Sequence, residues 1–246
     1  MIDVAVHGAE GRMGRLVTAL VEEAEDCRLA GLVGEPGRHA EAGACHPRLP
    51  LVGQQDLAAA LPPGCVIVDF SLAPALDGLL AGAAALGAPL VIGTTGYDDA
   101  QRARLAAFAA DHAVVHAANF SVGVPALQML LQLLARTLPA GFDAEQTETH
   151  HVTKLDRPSG TARTLAAAWR RIRGGGEPPT HSLRVGGVVG EHTWTFADAE
   201  ETLVLTHRAH SRRAFLRGVL PSVRFVARAR PGLYDLGDVL RGPGRD

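Results

Sequence analysis

The stretch Ile2-Asp3-Val4-Ala5-Val6-His7-Gly8-Ala9-Glu10-Gly11-Arg12-Met13-Gly14 decides the fold. Its first six residues are a short β-type run, its glycines recur every three residues, and a helical pattern continues through Leu16–Glu23. Strand, glycine turn and helix in that order bring backbone N–H groups and a helix N-terminus to one point. That arrangement, over Gly8-Ala9-Glu10-Gly11-Arg12-Met13, suits a pyrophosphate. The spacing Gly-x-x-Gly-x-x-Gly is a variant of the usual dinucleotide fingerprint, so its weight rests on context. The context continues with a second strand, Cys27–Val33, and with Glu35 just past its end, where a carboxylate accepts hydrogen bonds from ribose hydroxyls.

Working outward, Val66–Phe70, Leu90–Ile92 and Ala113–His116 are apolar runs bounded by turn residues, separated by helical patterns at Ala73–Leu86 and Asp98–Asp111. Strands alternating with helices predict βαβ units and a parallel sheet covered on both faces. The turns Asp69-Phe70-Ser71 and Gly93-Thr94-Thr95-Gly96 fall where such a sheet lines its ligand crevice, and Ala117-Ala118-Asn119-Phe120-Ser121-Val122-Gly123 leads out of the domain as a hinge, a nicotinamide contact or both. After about Phe120 the rhythm changes. A long amphipathic helix is predicted over Pro125–Leu138 and a second over Thr161–Arg173, with β-type runs at Ala144–His151, Leu183–Val189, His192–Phe196 and Thr202–His207. A last helical stretch, Ala214–Arg228, leads to a turn at Pro231–Tyr234. The expected class is α/β: a Rossmann-like parallel-sheet dinucleotide domain plus an α+β domain with a mixed or antiparallel sheet.

Composition excludes several classes. A net charge of −2 gives no electrostatic case for nucleic acid or an anionic membrane surface. The apolar runs are too short to span a bilayer. Three cysteines, Cys27, Cys45 and Cys65, have neither disulfide-framework nor zinc-site spacing, and no metal is expected. The reading is a cytoplasmic protein with no membrane and no nucleic-acid partner.

Of 24 basic residues, 23 are arginine. The one lysine, Lys154, stands in His150-His151-Val152-Thr153-Lys154-Leu155-Asp156-Arg157-Pro158-Ser159-Gly160-Thr161. Arginine stays protonated, whereas a lysine can release a proton, so a lone lysine beside two histidines points to proton chemistry. Adjacent histidines at a strand end face opposite ways, so one of the two faces a given ligand. Ser159-Gly160-Thr161 opens a helix whose N–H groups suit a carboxylate, or simply an N-cap at Ser159 or Thr161. A nicotinamide domain plus a domain gripping a small anion describes hydride addition to a C=N or C=C bond, with a proton from His or Lys.

These motifs, in this order and over nearly the whole chain, resemble the dihydrodipicolinate reductase (4-hydroxy-tetrahydrodipicolinate reductase) family of lysine and diaminopimelate biosynthesis. Gly190-Glu191-His192, His207-x-x-x-Ser211-Arg212 and Pro231-Gly232-Leu233-Tyr234-Asp235 extend the resemblance. It implies a homotetramer that reduces a small cyclic dicarboxylate imine with NADH or NADPH and loss of water. It implies His150 and Lys154 as the proton-donor pair and His151, Gly160 and Thr161 as substrate contacts. Gly8 to Met13, Glu35, Gly93 to Thr95 and Ala117 to Phe120 are the implied cofactor contacts. The C-terminal segment is expected to return to the cofactor domain, giving 1–121 with 212–246 and a substrate and oligomerisation domain over 122–211.

Three departures stand out. Pro36 follows Glu35 where many members carry a basic residue for the 2′-phosphate, which favours NADH or no preference, although Arg12 and Arg38 partly compensate. Arg157 replaces a usual alanine, and Gly174–Gly187 is short for the family. A paralogue acting on another cyclic imine acid, or a nucleotide sensor without catalysis, are the alternatives. Intact His150 and Lys154 speak against the sensor.

Overall fold

In the computed structural model the chain is described over residues 1–34 and 46–242, and it divides into two units. The first comprises Met1–Phe120 with Leu216–Asp246, and the second Ser121–Phe215. Glu35, Pro36, Arg38 and Cys45 lie outside the described residues.

The first unit is built on β1 (Ile2–His7), β2 (Cys27–Gly34), β3 (Leu51–Gly53), β4 (Val66–Asp69), β5 (Leu90–Ile92), β6 (Ala113–His116) and β11 (Gly232–Tyr234). They form a parallel sheet in the order β11-β6-β5-β4-β1-β2-β3. The apolar runs are near-continuous because both faces are covered. Val4, Val6, Val68, Val91 and Val115 look to one core, completed by α1 (Arg12–Glu22), α7 (Val219–Val226) and α8 (Leu236–Arg241). Ala5, Ile67, Leu90, Ile92 and Val114 look to the other, completed by α2 (Leu57–Ala60), α3 (Leu76–Leu86) and α4 (Asp99–Phe108).

The sheet corrects two sequence expectations. Pro231–Tyr234, expected as a turn, contains the edge strand β11, which pairs in parallel with β6 from Gly232 to Tyr234. A proline just outside an edge strand leaves no ladder bond unmade. The expected helix over Ala214–Arg228 is split into a 3₁₀ turn at Arg212–Leu216 and α7.

The second unit has the sheet β10-β9-β7-β8, from β7 (Asp143–His150), β8 (Thr180–Arg184), β9 (Gly190–Ala197) and β10 (Thr202–Ala209). It is mixed: β7–β8 is parallel, while β7–β9 and β9–β10 are antiparallel. Two helices, α5 (Gly123–Thr137) and α6 (Gly160–Arg173), supply an apolar layer. Leu127, Leu131, Leu165 and Trp169 pack there with Trp194 and Phe196 of the sheet. The β-run expected at Leu183–Val189 is displaced to Thr180–Arg184. Leu183 and Val185 are exposed apolar residues, while the Arg184 side chain is only 2% exposed. The polarity of this strand is inverted, because its inward position meets a carboxylate.

Candidate active site

In the first unit the chemistry of the turn is made of backbone. Gly8 has φ +75°, and a Cβ there would stand 2.7 Å from the Phe70 carbonyl oxygen. A Cβ on Gly14 would stand 2.1 Å from the Gly8 carbonyl oxygen, so α1 can start against the turn only with glycine at that position. Gly8 and Ala9 N–H groups both donate to the Val33 carbonyl, at 2.8 and 3.2 Å, which pins the turn to the end of β2. Gly11 caps α1 without a side chain, and Arg15 is the first residue to bond back, to the Gly11 carbonyl at 3.0 Å. The N–H groups of Arg12 and Met13 thus open the helix, the geometry a phosphate fills. The residues present fit a dinucleotide.

The neighbouring strand ends join this edge. Phe70 N–H donates to the His7 carbonyl at 3.0 Å, and Gly93 N–H to the Asp69 carbonyl at 2.8 Å. Gly93 leaves room for the Phe70 ring, which would lie 2.2 Å from a Cβ there. The Thr94 carbonyl accepts from His116 Nε2 at 3.2 Å, and Thr95 is exposed. Ala117 N–H donates to the Ile92 carbonyl at 3.0 Å, Ala118 is exposed and Asn119 half-buried. Phe120 is buried in the core, with its ring centroid 5.8 Å from that of Phe70. Glu10 lies against Gly34 at the end of β2, its Oε2 2.1 Å from where a Cβ would be. A buried pair, His7 Nδ1 to Asp69 Oδ1 at 2.7 Å, ties β1 to β4 beneath the turn.

In the second unit the chemistry is made of buried side chains. One face of the four-stranded sheet runs from apolar to polar. Phe196 and Trp194 on β9 give way to His192, and on β7 Ala144 gives way to Gln146, Glu148 and His150. Glu148 pairs across to His192, and His192 across to His207, in one cross-strand row. The polar end lies at the starts of both helices. A Cβ on Gly123, the first residue of α5, would meet His207 at 2.4 Å. Ser159, which caps α6, bonds His192 Nε2 at 3.1 Å.

His150 Nδ1 and Glu148 Oε2 form a short hydrogen bond, and Arg184 grips both oxygens of the same carboxylate at 3.0 and 2.8 Å. Burial raises the Glu148 pKa, but Arg184, Ser182 and His150 outweigh it and hold it below the usual carboxylate range. Burial pushes the His150 pKa down, Glu148 pulls it up, and Lys154 and Arg184 push it down again, for a net lowering. Burial, then the charges of His150 and His207, take His192 down to about 4, so it is neutral near pH 7. Its Nε2 shares a hydrogen bond with the Ser159 hydroxyl, while Ser159 Oγ accepts from Ala162 N–H at 3.1 Å.

The predicted residues of this unit fall into three settings. His150 and Ser159 both border His192, with the His150 and His192 ring centroids 5.3 Å apart. Ser159 is buried and spends its hydroxyl on the cap and on His192; Gly160 is exposed and Thr161 half-buried at the helix start. Lys154 Nζ meets Asp156 Oδ1 at 2.7 Å, and its carbonyl accepts from Arg184 Nε at 3.1 Å. His151, past the end of β7, bonds Thr153 Oγ1 at 2.7 Å and lines an open cleft of about 350 Å³ with Gly186, Gly187 and Arg212. Sequence reasoning gave no role to Glu148, Arg184, His192 or Arg212. The available signal was alternation: Glu148 and His150 share a strand face, and Arg184 interrupts an otherwise apolar run.

Comparison with known proteins follows the same two-part division. The family model described as dihydrodipicolinate reductase, N-terminus, matches residues 2–120, and that described as dihydrodipicolinate reductase, C-terminus, matches residues 123–240. A 4-hydroxy-tetrahydrodipicolinate reductase of Thiobacillus denitrificans is 40% identical over 262 residues, covering 97% of this chain and 98% of that one. One from Stenotrophomonas maltophilia is 42% identical over 237 residues, covering 96% of each. Among solved structures, a dipicolinate-bound dihydrodipicolinate reductase from Paenisporosarcina sp. TG-14 superposes with a TM-score of 0.83 at 24% identity, covering 96% of this chain and 97% of that one. Matched along almost its full length in both units, the chain belongs to the dihydrodipicolinate reductase family.

Proposed function

We propose that the protein reduces 4-hydroxy-tetrahydrodipicolinate to tetrahydrodipicolinate with NADH or NADPH and loss of water, in lysine and diaminopimelate biosynthesis. The observation that carries this reading is the His150–Glu148 pair, with His150 Nε2 beside the side-chain-free Gly190 and its ring 5.3 Å from that of His192, which bonds Ser159 at the cap of α6. The bound cofactor supplies a hydride. A proton must balance it, so that the departing hydroxyl leaves as water, and His150 Nε2 gives that proton. Lys154, a compact ammonium 23% exposed, stabilises or supplies charge at the same centre. The N–H groups of Gly160 and Thr161 take one substrate carboxylate, while His151 and Arg212 offer cationic or donor groups to the other.

Arg12 and Met13 N–H groups, with Gly8, Ala9, Glu10 and Gly11 shaping the turn, hold the pyrophosphate. Glu35 takes the ribose hydroxyls. Phe70, Gly93, Thr94, Thr95 and Ala117 to Phe120 line the rest of the cofactor's course. The Glu10 carboxylate at the end of β2, together with Pro36, disfavours a 2′-phosphate, so kcat/KM with NADH should equal or exceed that with NADPH. A strong NADPH preference removes this part of the reading. A cytoplasmic homotetramer belongs to the same proposal. It is supported by Leu183, Val185 and Val204, exposed on the second unit, and sedimentation tests it.

The decisive assay generates the substrate in place, using the aldolase that condenses pyruvate with aspartate semialdehyde, and follows loss of the reduced cofactor's near-ultraviolet absorbance. Folded protein should consume cofactor only while the aldolase runs. No turnover removes the reading.

A further inference from the structure

Glu148 is fully buried, and its partner Arg184 is almost so. A buried ion pair is a poor device for stability, because apolar residues of similar shape serve as well or better. This pair is also larger than a pair. Glu148 Oε2 takes the hydrogen of His150 Nδ1, Arg184 grips both Glu148 oxygens, and the other guanidinium N–H groups reach the carbonyls of Lys154 and Asp156. One guanidinium thus touches the partner of His150 and the backbone of Lys154. Which ring nitrogen of a histidine carries the proton is set by the bond the other makes. Here Nδ1 is committed to Glu148. Nε2 is left beside Gly190, where even a methyl carbon would stand only 3.2 Å away.

We propose that Glu148 and Arg184 are positioning residues for proton delivery: Glu148 fixes His150 as the Nδ1–H tautomer with Nε2 presented to substrate, and Arg184 moors that carboxylate and the Lys154 backbone to each other. The inference rests on the reductase reading, in which His150 is the acid. It makes one structural unit responsible for both proton-handling groups, although neither Glu148 nor Arg184 touches the reacting atoms.

The groups facing His150 are Glu148 on its own strand, Arg184 on β8, His192 on β9 and Lys154 in the following loop. Of these, Glu148 alone favours the protonated ring; Lys154 and Arg184 oppose it, and neutral His192 carries no charge. As an acid, His150 works only while protonated, so kcat falls as pH rises through its pKa. Removing the Glu148 charge lowers that pKa further and moves the alkaline limb of kcat to lower pH. A residue that merely supported the fold would not move the limb in that direction.

The test uses the full-length enzyme. Glu148→Gln should lower kcat about 100-fold, leave the KM for reduced cofactor within about twofold, and shift the alkaline limb to lower pH. Because Glu148→Gln strands the Arg184 charge, the double variant Glu148→Gln/Arg184→Met is read beside it. Losing both charges together, it should unfold in urea near the wild-type midpoint and still lack kcat. A third measurement needs no variant: ring-nitrogen NMR of wild-type His150, above its pKa, should show Nδ1 protonated and Nε2 bare. Either folded variant with kcat within about threefold of wild type, a kcat loss with the alkaline limb unmoved, or an Nε2–H tautomer would overturn the inference. Wild-type protein without turnover would instead strike the reductase reading, and the NMR result would still decide the tautomer.

Discussion

The glycine turn of the first unit and the histidine–carboxylate–guanidinium cluster of the second solve opposite problems. The turn works by leaving side chains out: Gly8 and Gly14 bring backbone against backbone, and the opening N–H groups of α1 supply the polarity. The cluster works by burying side chains that would rather be in water. Glu148, His150 and His192 are held in place by Arg184 and by the helix cap at Ser159. A backbone site tolerates much at its exposed positions and little at its glycines. A buried polar network depends on every member, since each loss leaves a partner unsatisfied.

This contrast breaks most readily at Lys154. Lys154→Arg keeps the charge and can keep the ion pair with Asp156, but the wider, permanently protonated guanidinium should cost about a thousandfold in kcat, read in the coupled assay. Near-normal kcat would make Lys154 an ordinary surface cation. In the turn the corresponding insult is steric. Gly14→Ala sets a methyl against the Gly8 carbonyl and should cost about 3 kcal/mol in urea unfolding, with weakened cofactor binding. Unchanged stability would mean that the start of α1 can retreat from the turn.

A smaller effect is read by pH. His192 has its folded pKa depressed to about 4, from an ordinary 6.5. Between those values the unfolded chain binds the proton more readily, so stability is full above about 6.5 and is lost as pH falls toward 4. At pH 5 the His192 share of the loss should be about 2 kcal/mol, read by urea titration as the part of the wild-type loss that His192→Gln no longer shows, since the lowered pKa values of His116, His150 and His207 act in the same direction. A flat profile between pH 7 and pH 5 would place water or a counter-charge beside the ring.

The two regions were not equally legible. The turn can be read from residues because its physics demands glycine at fixed spacing after a strand. The parallel sheet followed from apolar runs, except where β3 and β11 are only three residues long and sit at the sheet edges. In the second unit His150 and Lys154 drew notice by composition, but their supports did not. Glu148 looks like any polar strand residue, and Arg184 breaks the usual rule of apolar side inward, which is why β8 was expected several residues too late. The row Glu148–His192–His207 joins three strands, a pairing that no local pattern announces. α5 begins at Gly123, two residues before the expected Pro125, since proline is tolerated in a first helical turn.

The division of labour itself is tested by one paired measurement on His150→Gln. Titrating reduced cofactor by fluorescence and measuring kcat in the coupled assay on the same sample separates the two regions. We predict a cofactor Kd within about twofold of wild type and a kcat lower by about a thousandfold. A kcat within about tenfold of wild type, or a loss matched by weakened cofactor binding, would contradict the assignment of proton delivery to the second unit.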